Sequence, residues 1–351
     1  MTTTIPSGLG TTLGATKETT YGTPVVVTNW VLIDAGESLG LKKNIAQSKA
    51  LSGNRAMLSK RRALVTTEAA GAFTLDLADK GMGKFFQGVM GSASTAAEQG
   101  TTTAYLQQHY PGLTDVGFSY TFQKGLPETP SGTVQAFTYP GSKIVEIEIS
   151  CGVNEIAKLA ITLDSQSELT ATSYAAPTFP TPDVFTFAGV TGALASVLLG
   201  GTLAGTAPEV ISGSPAAPSG IISKVSVKIA NKFDTARFNI GAIVKAEPVE
   251  NDFYEVTGTI DIEFANLADY YNAMAADTVT PLQIYFGGPL IASTYYNYVK
   301  VIVPACRFEA ASPKAADTGV VKVSVPFTGL NNGLGDPVVE IDVMSTDATV
   351  L

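Results

Sequence analysis

Charge is scarce in this chain. Of 351 residues only 15% are Asp, Glu, Lys or Arg, while 45% are hydrophobic. A free soluble monomer carries a charge-rich surface, so the scarcity implies surface covered by other subunits. What charge there is leans acidic, net −9 at pH 7. That argues against gripping nucleic-acid phosphates, though not against letting nucleic acid slide past. Histidine occurs once, at His109, with no His or Cys companions at metal-ligand spacing. It reads as a surface residue of the loop "LQQHYPG", and no metal site is expected. Cysteine occurs twice, at Cys151 and Cys306. The start "MTTTIPSGLGTTLG" lacks the basic-then-apolar pattern of a secretory signal, so two reduced thiols in a cytoplasmic product are expected rather than a disulfide. No apolar run is long enough to span a bilayer, and no membrane contact is expected. There is no Gly-x-Ser-x-Gly elbow and no phosphate loop, since "KGMGKFF" lacks the required spacing. No catalytic residue and no cofactor is called, and the chain is not read as an enzyme.

What is present is β pattern. Residues 1–30, rich in Thr, Gly and Pro, read as an extended N-terminal arm. From Glu37 to Val65 a hairpin is expected, with a long basic tip. A strand over Ala72 to Leu77 follows, then a short helix in "KGMGKFFQGVMG", whose Met82, Phe85, Phe86 and Val89 share one face. "KIVEIEISCGV" alternates, placing Ile144, Glu146 and Glu148 on one face and Val145, Ile147 and Ile149 on the other. "IAKLAITLD" and "ELTATSYAA" read as a hairpin pair. Between Pro177 and Pro218 the composition turns to Pro, Gly, Ala and Ser, and residues 181–219 are expected to form a linker or insertion.

The order of elements then repeats. "GAFTLDLADKG" at Gly71 is echoed by "GTIDIEFANLA" at Gly258. "IISKVSVKIANK" and "RFNIGAIVKA" read as a hairpin. "ANLADYYNAMAAD" reads as a helix with Leu267, Tyr270, Tyr271 and Met274 on one face. "PLQIYFGGPL" sets Ile284 to Gly287 against Tyr120 to Gln123. "YVKVIVPACRF" sets Cys306 against Cys151, and "GVVKVSVPFTGL" is matched to "SELTATSYAA". An internal duplication is inferred, with domains at 31–180 and 220–351. Cysteines at equivalent places in two copies are seldom adjacent, so both read as small buried fillers.

Two charged groups stand out. The i, i+2 carboxylates of Glu146/Glu148, and those of Asp261/Glu263, each point to the same face of their strand, and with Asp76 they are the lumen-facing candidates. Acid–base chemistry is one reading, but no neighbouring group would split their pKa values, so a solvated or lumen-facing sheet surface is preferred. The basic residues of the hairpin are Lys42, Lys43, Arg55, Lys60, Arg61 and Arg62. No aromatics interleave them, so an inter-subunit or inter-ring contact with acidic groups of a neighbouring copy is preferred over nucleic acid.

"KETTYGTPV" (from Lys17), "ESLGLKKNIAQSKALSGNR" (from Glu37), "RRALVTTEAAGAFTLDL", "EVTGTIDIEF" and the closing "VKVSVPFTGLNN…EIDVMSTDA" together resemble the tail tube proteins of long-tailed (siphovirus-type) bacteriophages. The resemblance runs from about Lys17 to Ala348 and rests on several short motifs in order, none catalytic. It implies a mainly β chain of tandem β-sandwich or barrel domains, each with one short packed helix. It implies a virion protein, assembled in the host cytoplasm, that polymerises into stacked rings and forms a conduit for DNA ejection. DNA would pass through the lumen without specific binding. Partners would be other copies of the chain, the tape measure protein, and the tail terminator and tip proteins. Such rings present six domains, so a duplicated chain would close one as a homotrimer with pseudo-sixfold symmetry; a hexamer of whole chains is the alternative. A reading from another class is a β-sandwich virion adhesin or carbohydrate-binding module. Its aromatic candidates are "YLQQHYPG" and "STYYNYV".

Overall fold

The structure, a computed structural model, describes residues 5–51, 53, 55–91, 95–112, 117–129, 132–188, 196–204, 210–213, 215–315 and 318–350. The expected arm's residues 1–4 and the expected linker's residues 189–195, 205–209 and 214 lie outside this set. Strands dominate. The chain begins with β1 (Ile5–Pro6), β2 (Thr12–Lys17) and β3 (Asn29–Val31), then the long hairpin of β4 (Gly40–Gln47) and β5 (Arg62–Asp76). After helix α1 (Gly83–Met90) come β6 (Ala97–Glu98), β7 (Tyr105–His109), β8 (Tyr120–Thr129), β9 (Val134–Gly152) and β10 (Lys158–Ser165). The Pro/Gly-rich region contributes β11 (Ser196–Leu199), β12 (Thr202–Ala204) and β13 (Val210–Ser212). The second half holds β14 (Ile222–Ala230), the short pair β15 (Phe233–Asp234) and β16 (Val249–Glu250), and β17 (Glu255–Glu263). Helix α2 (Tyr271–Ala275), β18 (Thr280–Ala292), β19 (Tyr295–Phe308), β20 (Lys322–Leu330) and β21 (Glu340–Ser345) complete it.

Eight strands form one continuous antiparallel run in the order β4-β5-β10-β9-β14-β17-β20-β19. The first four come from the first half and the last four from the second. They meet where β9 pairs with β14 from Glu146↔Ala230 to Gly152↔Lys224. Behind this sheet each half has a second layer. In the first half it is the start of β9 with β8, β2 and β3. In the second it is β11, β18, the start of β19, and β21. β7 of the first half pairs with β21, stitching the halves together again. The arm is therefore no free tail over its described residues: Leu13, Ala15, Val27 and Trp30 are buried in the core. One apolar cluster runs through both halves, from Leu13 to Val343.

The two halves also repeat in register. Asp76 opposes Lys158 as Glu263 opposes Lys322, and Gly71 opposes Leu163 as Gly258 opposes Phe327. The two glycines have the same cause. A Cβ on Gly71 would lie 2.5 Å from the Ser38 backbone, and one on Gly258 2.2 Å from the Ser226 carbonyl, so only glycine lets the adjacent strand approach. Each half has a long strand that turns the corner between its two layers, through Pro140-Gly141 in β9 and Pro304-Ala305 in β19. The same bulge marks both corners: Tyr120↔Ser142 then Phe122↔Tyr139, and Thr280↔Cys306 then Leu282↔Val303.

That register corrects several expectations. Cys306 corresponds to Ser142, not to Cys151; both cysteines are free and buried, but their pairing by sequence is an accident of two PxC-like and SCG stretches nine residues out of phase. Thr280 to Gln283, rather than Ile284 to Gly287, stands where Tyr120 to Gln123 stands. The counterpart of β20 is β10, since both lie between the β5/β17 strand and the corner strand; "ELTATSYAA" forms no strand. "RFNIGAIVKA" forms no hairpin with β14, whose partner is β17. In β9 a bulge at Val145 turns Ile144 to the buried side with Ile147 and Ile149, away from Glu146 and Glu148. α2 is only five residues long, and Leu267 lies outside it, exposed. α1 is fully buried and ends on Gly91 at φ 75°, a left-handed cap that glycine adopts without penalty. His109 is not a loop residue. It closes β7, fully buried against Phe86, and burial pushes its pKa down to about 3, so the imidazole is neutral.

Two buried carboxylate sites hold the layers together. Glu18, in the "KETTYG" stretch, accepts hydrogen bonds from Gly22 N (3.0 Å), Ser119 Oγ (2.8 Å), Thr121 Oγ1 (2.8 Å) and Gly141 N (2.9 Å). It therefore pins the β9 corner, where Gly141 sits at φ 62°. Lys245, in the loop between β14 and β17, is fully buried on the first half, between Asp164 and Glu68 (3.3 Å). Burial pushes the Asp164 carboxyl up and the Lys245 ammonium opposes it. Taking away one member of a buried pair costs roughly 3–5 kcal/mol, because the other charge stays buried without its partner. Lys245→Met should lower the unfolding free energy measured in urea by that amount, and Lys245→Met with Asp164→Leu should recover most of it. Equal stability of the single variant and the unmodified chain would sink this account.

Candidate functional site

Strand alternation gives the eight-stranded sheet two unlike faces. Phe73, Leu75, Ile147, Ile149, Leu159, Ile161, Val225, Val227, Ile260 and Val325 point into the core. The other face is half-exposed and carries small and polar residues, among them Thr74, Ala160, Ser226, Thr257 and Ser324. All five carboxylates singled out from the sequence, Asp76, Glu146, Glu148, Asp261 and Glu263, lie on this second face. The structure thus brings together residues up to 187 positions apart, Asp76 and Glu263, at matching places in the two halves.

The face is not purely acidic. Lys158, Lys224, Lys228 and Lys322 interleave the carboxylates. Lys228 Nζ lies 2.7 Å from Glu146, and Lys158 Nζ lies 2.6 Å from Asp76 and 2.8 Å from Asp34. For Lys158 some burial works against the charge, but the hydrogen bonds to Asp34 and Asp76 outweigh it and hold the ammonium above its ordinary pKa. The sequence missed these lysines because their strand partners are remote; the alternation of "KVSVK" and "KVSV" was the available signal. Lys224 and Lys322 stand opposite Asp261 and Glu263 across the strands without forming a salt bridge among the described residues. Among the described residues no group of three or more His, Cys, Asp or Glu could hold a metal. Nor does a carboxylate of this face have the burial that would set up acid–base work.

The six basic residues of the hairpin are placed together on its projecting part. Lys42 and Lys43 lie on β4, Arg55 at the tip, Lys60 and Arg61 in a 3-10 turn (Ser59–Arg61), and Arg62 at the start of β5. All six are exposed, and none forms a salt bridge among the described residues. The same hairpin exposes Leu41, Ile45, Leu51, Met57, Leu58, Leu64 and Val65, with Leu51 bare to solvent. An apolar patch of this kind marks a contact surface. Among the described residues β4 pairs only with β5, and its outer edge has no partner strand.

The aromatic stretches that an adhesin would use are built into the fold. "YLQQH" forms β7, with Gln107 and His109 buried, and "YYNY" begins β19, with Asn297 buried. Tyr285 and Tyr298 pack on each other at 5.3 Å, and Tyr110 is the one exposed tyrosine among the described residues. No aromatic platform for a sugar is formed there.

A protein-family model described as phage tail tube protein matches residues 8–329. No curated protein matches the chain. The ion pairs of the polar face are surface pairs, Lys228 and Glu146 being 42% and 32% exposed, for which coupling is about 0–1 kcal/mol. A double-mutant cycle on Lys228→Gln and Glu146→Gln should give a coupling below about 1 kcal/mol. A larger coupling would make this face a stabilising feature rather than a free surface.

Proposed function

The chain belongs to the phage tail tube protein family, with a structural role in the virion tail and self-association into a tube alongside other tail components, and from that premise we propose how its chains join. Three copies close a ring, each supplying two tail-tube-like units (31–180 and 220–351), and rings stack into a channel. The junction of β9 and β14 carries this reading. It joins two four-stranded sheets of the same register inside one chain. Among the described residues β4 pairs only with β5, and β18 follows β19 no further than Cys306, so Arg307 and Phe308 have no strand beyond β20. Placing β4 of one copy beside the end of β19 in the next repeats the internal joint, and closure covers both ends of the run. A C3 ring of double units keeps near-sixfold geometry.

The polar face lines the channel in this arrangement. Small side chains and paired charges, with carboxylates in slight excess, let DNA pass without holding it. The chain carries no chemistry; assembly takes place in the host cytoplasm, and the tube serves DNA ejection after meeting the tape measure, terminator and tip proteins.

Negative-stain images of the purified chain should show rings or tubes, and a reconstruction should count three chains per ring. Dispersed monomers over a wide concentration range would sink the reading, and six whole chains in the wall would replace the trimer. Phage carrying Glu146→Lys, Glu148→Lys and Asp261→Lys should build tails of normal length yet eject DNA at least tenfold more slowly, with partial recovery at high salt. Normal ejection by that phage would remove these residues from the lumen.

A further inference from the structure

The loops joining the first two sheet strands of each half, 48–61 and 231–254, differ in one respect: the second is docked and the first is not. Between the paired β15 and β16, the second loop folds back over the first half. Thr67 N donates to the Ile243 carbonyl (2.8 Å), and Gln166 Nε2 donates to the Lys245 carbonyl (3.2 Å). The Lys245 ammonium enters between Asp164 and Glu68. The docking site is thus made by the base of β5 and the end of β10.

The shared register shows where the same site falls in the second half. Glu68 corresponds to Glu255, Thr67 to Tyr254, Ser165 to Gly329 and Gln166 to Leu330. Tyr254, Gly329 and Leu330 line an open cleft of about 620 Å³, and Glu250 and Asp252 stand on its wall. The docked segment also has a counterpart. "AIVK" (Ala242 to Lys245) matches "AMLSK" (Ala56 to Lys60) with one inserted serine. Met57 is 63% exposed, and Lys60 and Arg61 are exposed beside it. The tip cannot use the cleft of its own chain, because β4 and β17 are five strand spacings apart, roughly 24 Å.

We propose that the hairpin tip Met57 to Arg61 of one copy docks in the Tyr254–Leu330 cleft of the neighbouring copy in the same ring, as Ile243 to Lys245 docks within the chain. This rests on the ring reading above. Met57 and Leu58 cover the apolar floor, and Lys60 and Arg61 meet Glu250 and Asp252. The fit is one of shape, sequence and charge, and it gives the exposed apolar hairpin its cover. It also makes ring closure depend on salt, because the rim pairs are screened.

Charge reversal and a cross-link test it. Lys60→Glu with Arg61→Glu should raise the concentration at which rings appear in mass photometry at least tenfold, with the far-UV spectrum of the chain unchanged. Adding Glu250→Lys and Asp252→Lys to that chain should restore assembly. Ser59→Cys with Leu330→Cys, oxidised after assembly, should give a non-reducing ladder that stops at the number of chains in one ring. Unchanged assembly of the charge-reversed chain, failure of the rescue, or normal rings whose chains stay monomeric on the gel would each overturn the docking. A ladder running past one ring would place the tip in the next ring and overturn it too. If the unmodified chain forms no rings, the ring reading itself fails, and the docking falls with it.

Discussion

A β-sheet has to end somewhere, and its ends are rows of unsatisfied backbone donors and acceptors. The rest of this structure follows from that constraint. The chain resolves one such end internally, by running β14 along β9 over seven residue pairs. It leaves the outer edge of β4 bare, and at the far end β19 stops at Phe308 while β20 continues. Pro326, which has no N–H to offer, sits where β20 loses its outer neighbour. Such ends suit the self-association of the tail tube family, to which the chain belongs. Its low charge content fits the same account, since sheet edges that become buried need no solvating charge.

The two halves are alike where the sheet is made and unlike where they meet neighbours. The glycines against Ser38 and Ser226, the paired Asp76–Lys158 and Glu263–Lys322, and the bulged proline corners are matched position by position. These are places where backbone geometry leaves little choice. The differences gather in the loops and in the anchoring charges. Glu18 braces the first corner with four hydrogen bonds, and the loop bearing Lys245 closes over the first half. Repetition sets the frame, and departures from it say which surfaces have different neighbours.

In the proposed ring the polar face is a wall that is polar without being adhesive. Its lysines face carboxylates across strands, so positive charge is presented in pairs rather than in a stripe. Ion pairs of this exposure contribute little to stability. Their effect is on what the surface attracts, since a phosphate has to compete with a carboxylate already in place.

Much of this was legible in the residues alone. Period-2 alternation located the sheet strands, the i, i+3, i+4, i+7 apolar set located α1, and the family motifs located the fold class. The echo of "GAFTLDL" in "GTIDIEF" gave the repeat and its correct register, because both strands carry the same glycine for the same steric reason. Sequence pattern also put the five carboxylates on strand faces that prove to be one face. It could not say which strand lies beside which. The partners of β14 and β20, the place of His109, the offset between Cys151 and Cys306, and the burial of Lys245 all depend on contacts between residues tens to hundreds of positions apart. Local periodicity reports a strand's own two faces. Only tertiary structure decides the neighbours, since a bulge of one residue, as at Val145, reverses a face without altering composition.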